Sequence, residues 1–236
     1  NLMQAEKSYM ESLNINQNLQ NHEGLAELYR NLGNIYLTQG KLLDAELTYL
    51  KALEINIKLE HEEGMASIYN SLGTVYKSKG EFDKAEAMQR KALIIYEKIN
   101  NDEGLALAYG NLGNIFGIRG NLNESEKFHY KALEINNKLN NEVGLALAYG
   151  NLGNVYLAKE ELKQAEEMYT AALKINEKLG RQQGIAIILG NLGNVNKLRK
   201  RFEDAEAMYL KALEIDERMG RLEGISRDLG NLGSLY

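Results

Sequence analysis

Apolar residues recur along this chain at spacings of three and four, and the whole pattern repeats every 40 residues. In the first full copy, Leu25, Tyr29, Leu32 and Tyr36 fall on one face of a helix, called helix A. A second segment, helix B, has its own apolar line. In one copy this line consists of Phe82, Ala85, Met88, Ala92, Leu93 and Ile95. Alternation of two such faces predicts antiparallel helix pairs that bury their apolar stripes against each other.

The motif Asn-Leu-Gly-Asn fixes the repeat period. It occurs at residues 31–34, 111–114, 151–154 and 191–194, and variants of it occupy 71–74 and 231–234. A Gly-apolar-small sequence, Gly24-Leu25-Ala26 in the first full copy, is predicted to open each helix A. We predict that helix A ends near Gly40 and its copies, because glycine readily takes the left-handed geometry of a helix end. About twelve helices result.

These boundaries predict a single solenoid over residues 1–236. It would contain helix B of a partial copy at 1–20, full copies at 23–62, 63–102, 103–142, 143–182 and 183–222, and helix A of a partial copy at 223–236. Neither end shows the polar capping helix that usually covers the last apolar face of a solenoid. We therefore expect either a longer protein or end-to-end self-association through the terminal helices.

The residues at the predicted crossing of helices A and B resemble the tetratricopeptide repeat along the whole chain. In the first full copy they are Tyr29, Leu32, Gly33, Tyr36, Ala45, Tyr49 and Ala52. The period of 40 instead of about 34, without proline, is similar to the long-helix subclass of Pins-type spindle-orientation adaptors and kinesin light chains. This resemblance implies an all-α, right-handed superhelical solenoid of helix hairpins, with helices A lining a concave groove. The chain departs from the pattern at Gln89, His129, Glu160, Asn196 and Lys200.

The asparagines of the repeated motif lie on the face that the resemblance assigns to the groove. They are Asn31, Asn34, Asn111, Asn114, Asn151, Asn154, Asn191 and Asn194. Asparagine costs roughly 0.7 kcal/mol relative to alanine inside a helix, so its recurrence requires a compensating gain. A ladder of amides can bind a peptide backbone irrespective of its sequence. Alternatively, the amides bond the neighbouring helix and fix the stacking of hairpins. The two roles can coexist.

Specificity is predicted to come from helix A positions that vary between copies. They are Arg30, Lys77, Lys197 and Arg227 toward the ends, and Leu107, Leu147 and Ile187 in the middle. Basic side chains around apolar ones would suit an extended acidic segment with apolar anchors. The alternative is that the charges are scattered and solvated.

Composition argues against several other functions. A formal charge of −5 disfavours nucleic-acid binding, and the apolar stretches are far shorter than the roughly 20 residues that span a membrane. Without cysteine there is no thiolate metal site, and a cytoplasmic location is the default. His22, His61 and His129 lie far apart in the repeats, with no nucleophile at a recognisable site. We expect no enzyme, metal or cofactor.

The sequence therefore favours a scaffold that binds a protein or a linear peptide. The alternative is a structural or self-associating module, or a sensor array, attached to effector domains outside this sequence. A strict monomer in light scattering would count against self-association.

Overall fold

The computed structural model describes residues 2–236, and over this range it contains twelve α-helices and no strand. The helices are α1 Leu2–Asn18, α2 His22–Thr38, α3 Leu42–Lys58, α4 Glu62–Ser78, α5 Phe82–Lys98, α6 Asp102–Ile118, α7 Leu122–Lys138, α8 Glu142–Ala158, α9 Leu162–Lys178, α10 Gln182–Leu198, α11 Phe202–Arg218 and α12 Leu222–Gly233. Even-numbered helices are helices A and odd-numbered ones are helices B. The predicted all-α fold and the number of helices are confirmed.

Every turn between two helices passes through one residue with a positive φ angle. Between helices A and B this residue is Gly40, with φ of 72°, or its equivalent in the next copies. Glu160 and Lys200 take the same geometry, with φ of 62° and 60°. The departures from glycine that the sequence shows therefore leave the turn unchanged, at the cost of a left-handed non-glycine residue.

Helix A begins two residues before the glycine that was predicted to open it. In α2, the side chain of Asn21 accepts a hydrogen bond of 3.1 Å from the backbone N–H of Gly24 and caps the helix. The glycine serves packing instead, because a Cβ on Gly64 would collide with the amide of buried Asn56 at the end of α3. That amide in turn donates to the carbonyl oxygen of Ala52 at 2.8 Å.

Helices A and B of one hairpin cross at the glycine of the repeated motif. A Cβ on Gly33 would lie 2.6 Å from the ring of Tyr49, and one on Gly153 would lie 2.5 Å from the ring of Tyr169. Both tyrosines are completely buried. Glycine is required at these positions because the tyrosine ring occupies the space of a side chain, which confirms the close crossing predicted from the small residues.

The described chain forms two compact units, one extending to Ile115 and the other from Phe116 to Tyr236. In the first, a core cluster is built around Tyr49 and Leu72. In the second, a comparable cluster surrounds Leu152 and Tyr169. Within each unit, consecutive helices pack as the antiparallel hairpins of a tetratricopeptide-like solenoid. None of the described helices is long and apolar enough to cross a membrane.

Candidate binding surface on helices A

The second asparagine of the motif is held by a tyrosine from helix B. The hydroxyl of Tyr169 donates to Oδ1 of Asn154 at 2.7 Å, and Tyr209 does the same to Asn194 at 2.7 Å. Tyr49 and Asn34 form an equivalent bond of 2.6 Å. Because the tyrosine hydroxyl is the donor in each bond, the asparagine presents its side-chain oxygen to that hydroxyl. Its amide nitrogen then points away from the tyrosine hydroxyl.

These hydrogen bonds need a protonated tyrosine. Burial raises the pKa of Tyr169 well above its ordinary value, and it also raises the pKa of Tyr49 and of Tyr209. The hydroxyls thus remain donors throughout the physiological pH range. The orientation of the asparagine amides is therefore independent of pH in that range.

The first asparagine of the motif joins neighbouring helices A in two places. Asn111 donates from Nδ2 to Oδ1 of Asn70 at 2.8 Å, and Asn191 donates to Oδ1 of Asn154 at 3.3 Å. These bonds correspond to the stacking role that the sequence left open. The remaining members of the predicted ladder, Asn31, Asn114 and Asn151, are half-buried on their helices.

The predicted basic residues differ in how far they are already engaged. Lys197 donates to Oγ of Ser234 at 2.7 Å on the exposed surface. Arg30 lies 3.7 Å from the carboxylate of Glu27. Lys77 is half-buried on α4, and burial lowers its pKa.

Arg227 is bound to two acidic side chains of its own unit. Its Nε donates to Asp228 at 2.8 Å and its terminal amino group to Asp216 at 3.1 Å. Both aspartates are fully buried. Burial raises the pKa of Asp228, an effect that the hydrogen bond from Arg227 only partly opposes. A ligand carboxylate at Arg227 would therefore have to compete with an existing ion pair.

The apolar residues predicted to anchor a ligand are accessible to different extents. Leu107 and Leu147 are 53% and 57% exposed, whereas Ile187 is half-buried. The adjacent Gly110 has open space where a side chain would lie, but the space at Gly150 is closed by Ile188, whose Cδ1 lies 3.3 Å from an ideal Cβ. Space for a ligand side chain thus exists beside Gly110 and is restricted beside Gly150.

A recurring glutamate of helix B was missed by the sequence analysis. Glu46 accepts hydrogen bonds from the hydroxyl of Tyr76 at 2.8 Å and from Lys79 at 2.7 Å. Both donors belong to the last turn of the next helix A and the turn beyond it. Burial by itself raises the pKa of Glu46, but the hydrogen bonds from Lys79 and Tyr76 outweigh it and lower the pKa. This clamp fastens one hairpin to the next.

The clamp changes form where the aromatic residue is lost. Glu166 binds Arg199 at 2.5 Å and Arg201 at 3.0 Å. Buried Asn196 stands where the other copies have a tyrosine or, at Phe116, a phenylalanine. The charges of Arg199 and Arg201, which belong to a basic cluster with Lys197 and Lys200, are therefore partly neutralised by Glu166. The signal was present in the sequence as a glutamate every 40 residues, at Glu6, Glu46, Glu86, Glu126, Glu166 and Glu206.

Within the described residues, no group of three or more histidine, cysteine, aspartate or glutamate side chains is arranged to hold a metal ion.

Comparison with known proteins places these hairpins in a family. The family model described as tetratricopeptide repeat matches residues 1–58, 64–138, 104–178 and 144–218. The chain belongs to the tetratricopeptide repeat family. The curated proteins contain no significant match to it.

Solved structures of this family share the fold. BtubC (BKLC) from P. vanneervenii is 26% identical, with a TM-score of 0.79 over 93% of this chain and 92% of that one. A putative kinesin light chain from Podosopora anserina, with nearly identical repeats, is 15% identical, with a TM-score of 0.64 over 82% and 95%. A Rap protein complexed with Competence and Sporulation Factor is 18% identical, with a TM-score of 0.75 over 90% and 65%.

Proposed function

We propose that this tetratricopeptide repeat protein is a scaffold that binds an extended segment of a protein partner along its helices A. The family is one of protein-interaction scaffolds, which supports the general assignment. The observation that carries the finer proposal is the bond from Tyr169 and Tyr209 to the asparagines Asn154 and Asn194. It leaves the amide N–H groups of these asparagines as donors for a ligand.

An extended backbone is the ligand that suits a row of amide donors. Packed helices lie about 8 to 10 Å apart, and an extended chain rises about 3.3 Å per residue. Neighbouring helices A would therefore offer one amide for about every third residue of the ligand. Carbonyl oxygens recur at every residue whatever the side chains, so such contacts would give affinity without sequence specificity.

Sequence preference would come from the side chains around the amides. Leu147 is exposed and Ile187 half-buried on the same helices A, α8 and α10, that carry Asn154 and Asn194. Among the described residues, the partner of Lys197 is the hydroxyl of Ser234, so Lys197 is better placed than Arg227 to receive a ligand carboxylate. The proposed ligand is an acidic segment with apolar anchors. In the first unit, Lys77 and Leu107 are the corresponding basic and apolar residues of helices A.

We also propose the location and the absence of other activities that the composition favours. The protein would act in the cytoplasm without catalytic activity or a cofactor, and it would bind neither nucleic acid nor membrane. The Rap protein of similar fold, which was crystallised with Competence and Sporulation Factor, supports a ligand-binding role for helix hairpins of this kind.

A substitution that removes the amide donors but keeps the oxygen tests the proposal. Peptides would first be selected from a random displayed library against the whole chain. In the double variant Asn154→Asp/Asn194→Asp, an oxygen still accepts from each tyrosine, but the two amide groups are lost. Each lost bond costs about 0.5 to 1.5 kcal/mol, and the new charges repel carbonyl oxygens, so we expect at least about tenfold weaker binding by calorimetry.

The matched control is Asn123→Asp/Asn137→Asp, which adds the same charge at two exposed positions of α7, a helix B. It should leave the affinity within about twofold. Unchanged affinity in the Asn154→Asp/Asn194→Asp variant would reject the amide contact and leave these asparagines with a stacking role alone.

End-to-end self-association is the second candidate function. Leu229 on α12 is 53% exposed and Tyr236, beyond the end of that helix, is 85% exposed. The space beside Gly233, which a helix B tyrosine fills beside Gly33, Gly153 and Gly193, is open. A Gly233→Leu substitution would block that space. If the ends associate, the substitution should abolish concentration-dependent light scattering; scattering that stays unchanged would reject this contact.

A further inference from the structure

The outer side of α3, a helix B, carries an exposed apolar stripe. Leu43, Leu47, Leu50 and Ile57 are 74%, 56%, 43% and 49% exposed. Their spacing of four, three and seven places them on one line along the helix, with exposed Glu54 in the remaining position. This is the pattern of a helix that packs against another helix, yet within the described residues these side chains remain open to solvent.

The repeat itself does not require apolar residues at these positions. In α9, the equivalent positions hold Lys163, Glu167, Thr170, Lys174 and Glu177, all of them exposed. The hairpin of α8 and α9 nevertheless packs as closely as that of α2 and α3, with a buried tyrosine over a glycine in each. The stripe on α3 is therefore additional to the fold, and contiguous exposed apolar surface commonly marks an interaction site.

Charged residues beside the stripe indicate what covers it. Asp44 and Lys51 are both exposed and lie seven residues apart on the same flank. When two such helices pair in antiparallel orientation, this flank meets itself. Asp44 of one copy then lies beside Lys51 of the other, and the two-fold symmetry repeats the contact.

The same register also pairs the apolar residues. With the two-fold axis between Leu47 and Leu50, Leu47 of each copy faces Leu50 of the other, and Leu43 packs on the methylene groups of Glu54. The carboxylate of Glu54 is already bound to Lys58 at 2.7 Å. In this register the Leu47–Leu50 contacts and the Asp44–Lys51 pairs are both complementary between the two copies.

We propose that α3 is a self-association surface, on which a second copy of this chain pairs its own α3 in antiparallel orientation. The surface contains none of the helix A asparagines, so it is separate from the proposed ligand site. A stable interface usually buries about 800 Å² per partner, and one helix stripe supplies only part of that area. The dimer would therefore be weak and concentration-dependent.

Sedimentation velocity on the whole chain, from micromolar to submillimolar concentration, tests this inference. The wild-type protein should shift from monomer toward dimer, and Leu47→Glu/Leu50→Glu should remain monomeric with an unchanged helical circular dichroism spectrum. Ile94→Glu is the matched control, because Ile94 is a solitary exposed apolar residue on α5, 67% exposed. A wild-type monomer at every concentration, or a dimer insensitive to the Leu47/Leu50 change, would overturn the proposal.

A charge exchange tests the antiparallel register. Asp44→Lys and Lys51→Asp should each weaken the dimer several-fold by placing like charges together, and the double variant Asp44→Lys/Lys51→Asp should restore it. A double variant as weak as the single ones would overturn the antiparallel pairing. The change in dimer affinity should be separate from any change in the stability of the fold, since exposed charges contribute little to folding.

Discussion

The hairpin of α8 and α9 and that of α4 and α5 cross at a glycine in the same way but fill the crossing differently. Tyr169 packs its ring on Gly153 and bonds its hydroxyl to the side chain of Asn154. In the other hairpin, Gln89 takes the place of the tyrosine and donates to the backbone oxygen of Asn70 at 2.9 Å. Gln89 therefore bonds to the main chain of helix A, whereas Tyr169 bonds to an exposed side chain of helix A.

The helix A face changes together with this buried residue. Where a tyrosine crosses, the second motif residue is asparagine; opposite Gln89 it is Thr74, whose hydroxyl bonds the backbone oxygen of Asn70 at 3.3 Å. In the hairpins with a tyrosine, the buried side chain of helix B thus orients the amide that helix A presents. The comparison teaches that the core and the proposed binding surface of one hairpin are coupled through a single hydrogen bond.

The third residue type at this buried helix B position is His129 in α7. Its titration is expected to give the largest change in stability. Burial lowers the pKa of His129 to about 4, from 6.5, and its Nδ1 has no partner among the described residues. The unfolded chain takes up a proton near pH 6.5 and the folded one does not, so stability is lost as the pH falls from 6.5 toward 4. The loss should reach about 3 kcal/mol.

Chemical denaturation at pH 7.5 and pH 4.5 measures this loss, and the variant His129→Tyr separates it from other titrating groups. The variant carries the tyrosine found at the same position of four other copies, at Tyr9, Tyr49, Tyr169 and Tyr209. It should lose about 2.5 kcal/mol less than the wild type between the two pH values. Equal losses in both proteins would show that His129 is not the group responsible.

The next largest effect is expected from replacing the crossing glycine with alanine, which should change stability differently in the two hairpins. Gly153→Ala forces a methyl group against a fully buried ring, so we expect a net loss of about 1 to 2 kcal/mol after the gain in helix propensity. Gly73→Ala meets the end of a flexible glutamine and should change stability by less than about 0.5 kcal/mol. Denaturant unfolding measures both.

Gly110→Ala is the control for helix propensity, since a Cβ there meets nothing within 4 Å. It should stabilise the protein by about 1 kcal/mol. If Gly153→Ala also stabilises the protein, the tyrosine does not require glycine at the crossing.

The turns should give the smallest effect. Glu160→Gly relieves a left-handed residue with φ of 62° and should stabilise the protein by about 0.5 to 1 kcal/mol, while Gly40→Ala should destabilise it by about 1 kcal/mol. Thermal unfolding of the two variants checks the opposite signs. Two shifts of the same sign would contradict a common turn geometry.

Much of the fold was predictable because the regular spacing of apolar residues and glycines determines where the helices lie. The 40-residue spacing gave the helices, their number and the glycine crossings. The start of helix A was placed two residues late, because the cap at Asn21 is a weaker signal than the glycine at Gly24.

The candidate surface was less predictable, because the same residue types serve different contacts. The amino-acid sequence alone does not show that Tyr169 orients Asn154, or that Asp216 already binds Arg227. Both contacts join residues on different helices, at separations of 15 and 11 positions. The glutamate clamp could have been found by applying the repeat period to polar residues as well as apolar ones.

The most direct test of the central claim observes the asparagine amides themselves. In ¹⁵N-labelled protein titrated with a selected peptide, the side-chain N–H₂ signals of Asn154 and Asn194 should shift with the dissociation constant measured by calorimetry. The signal of buried Asn176 on α9 should stay in place. Saturating peptide that leaves the Asn154 and Asn194 amide signals unmoved would contradict the account.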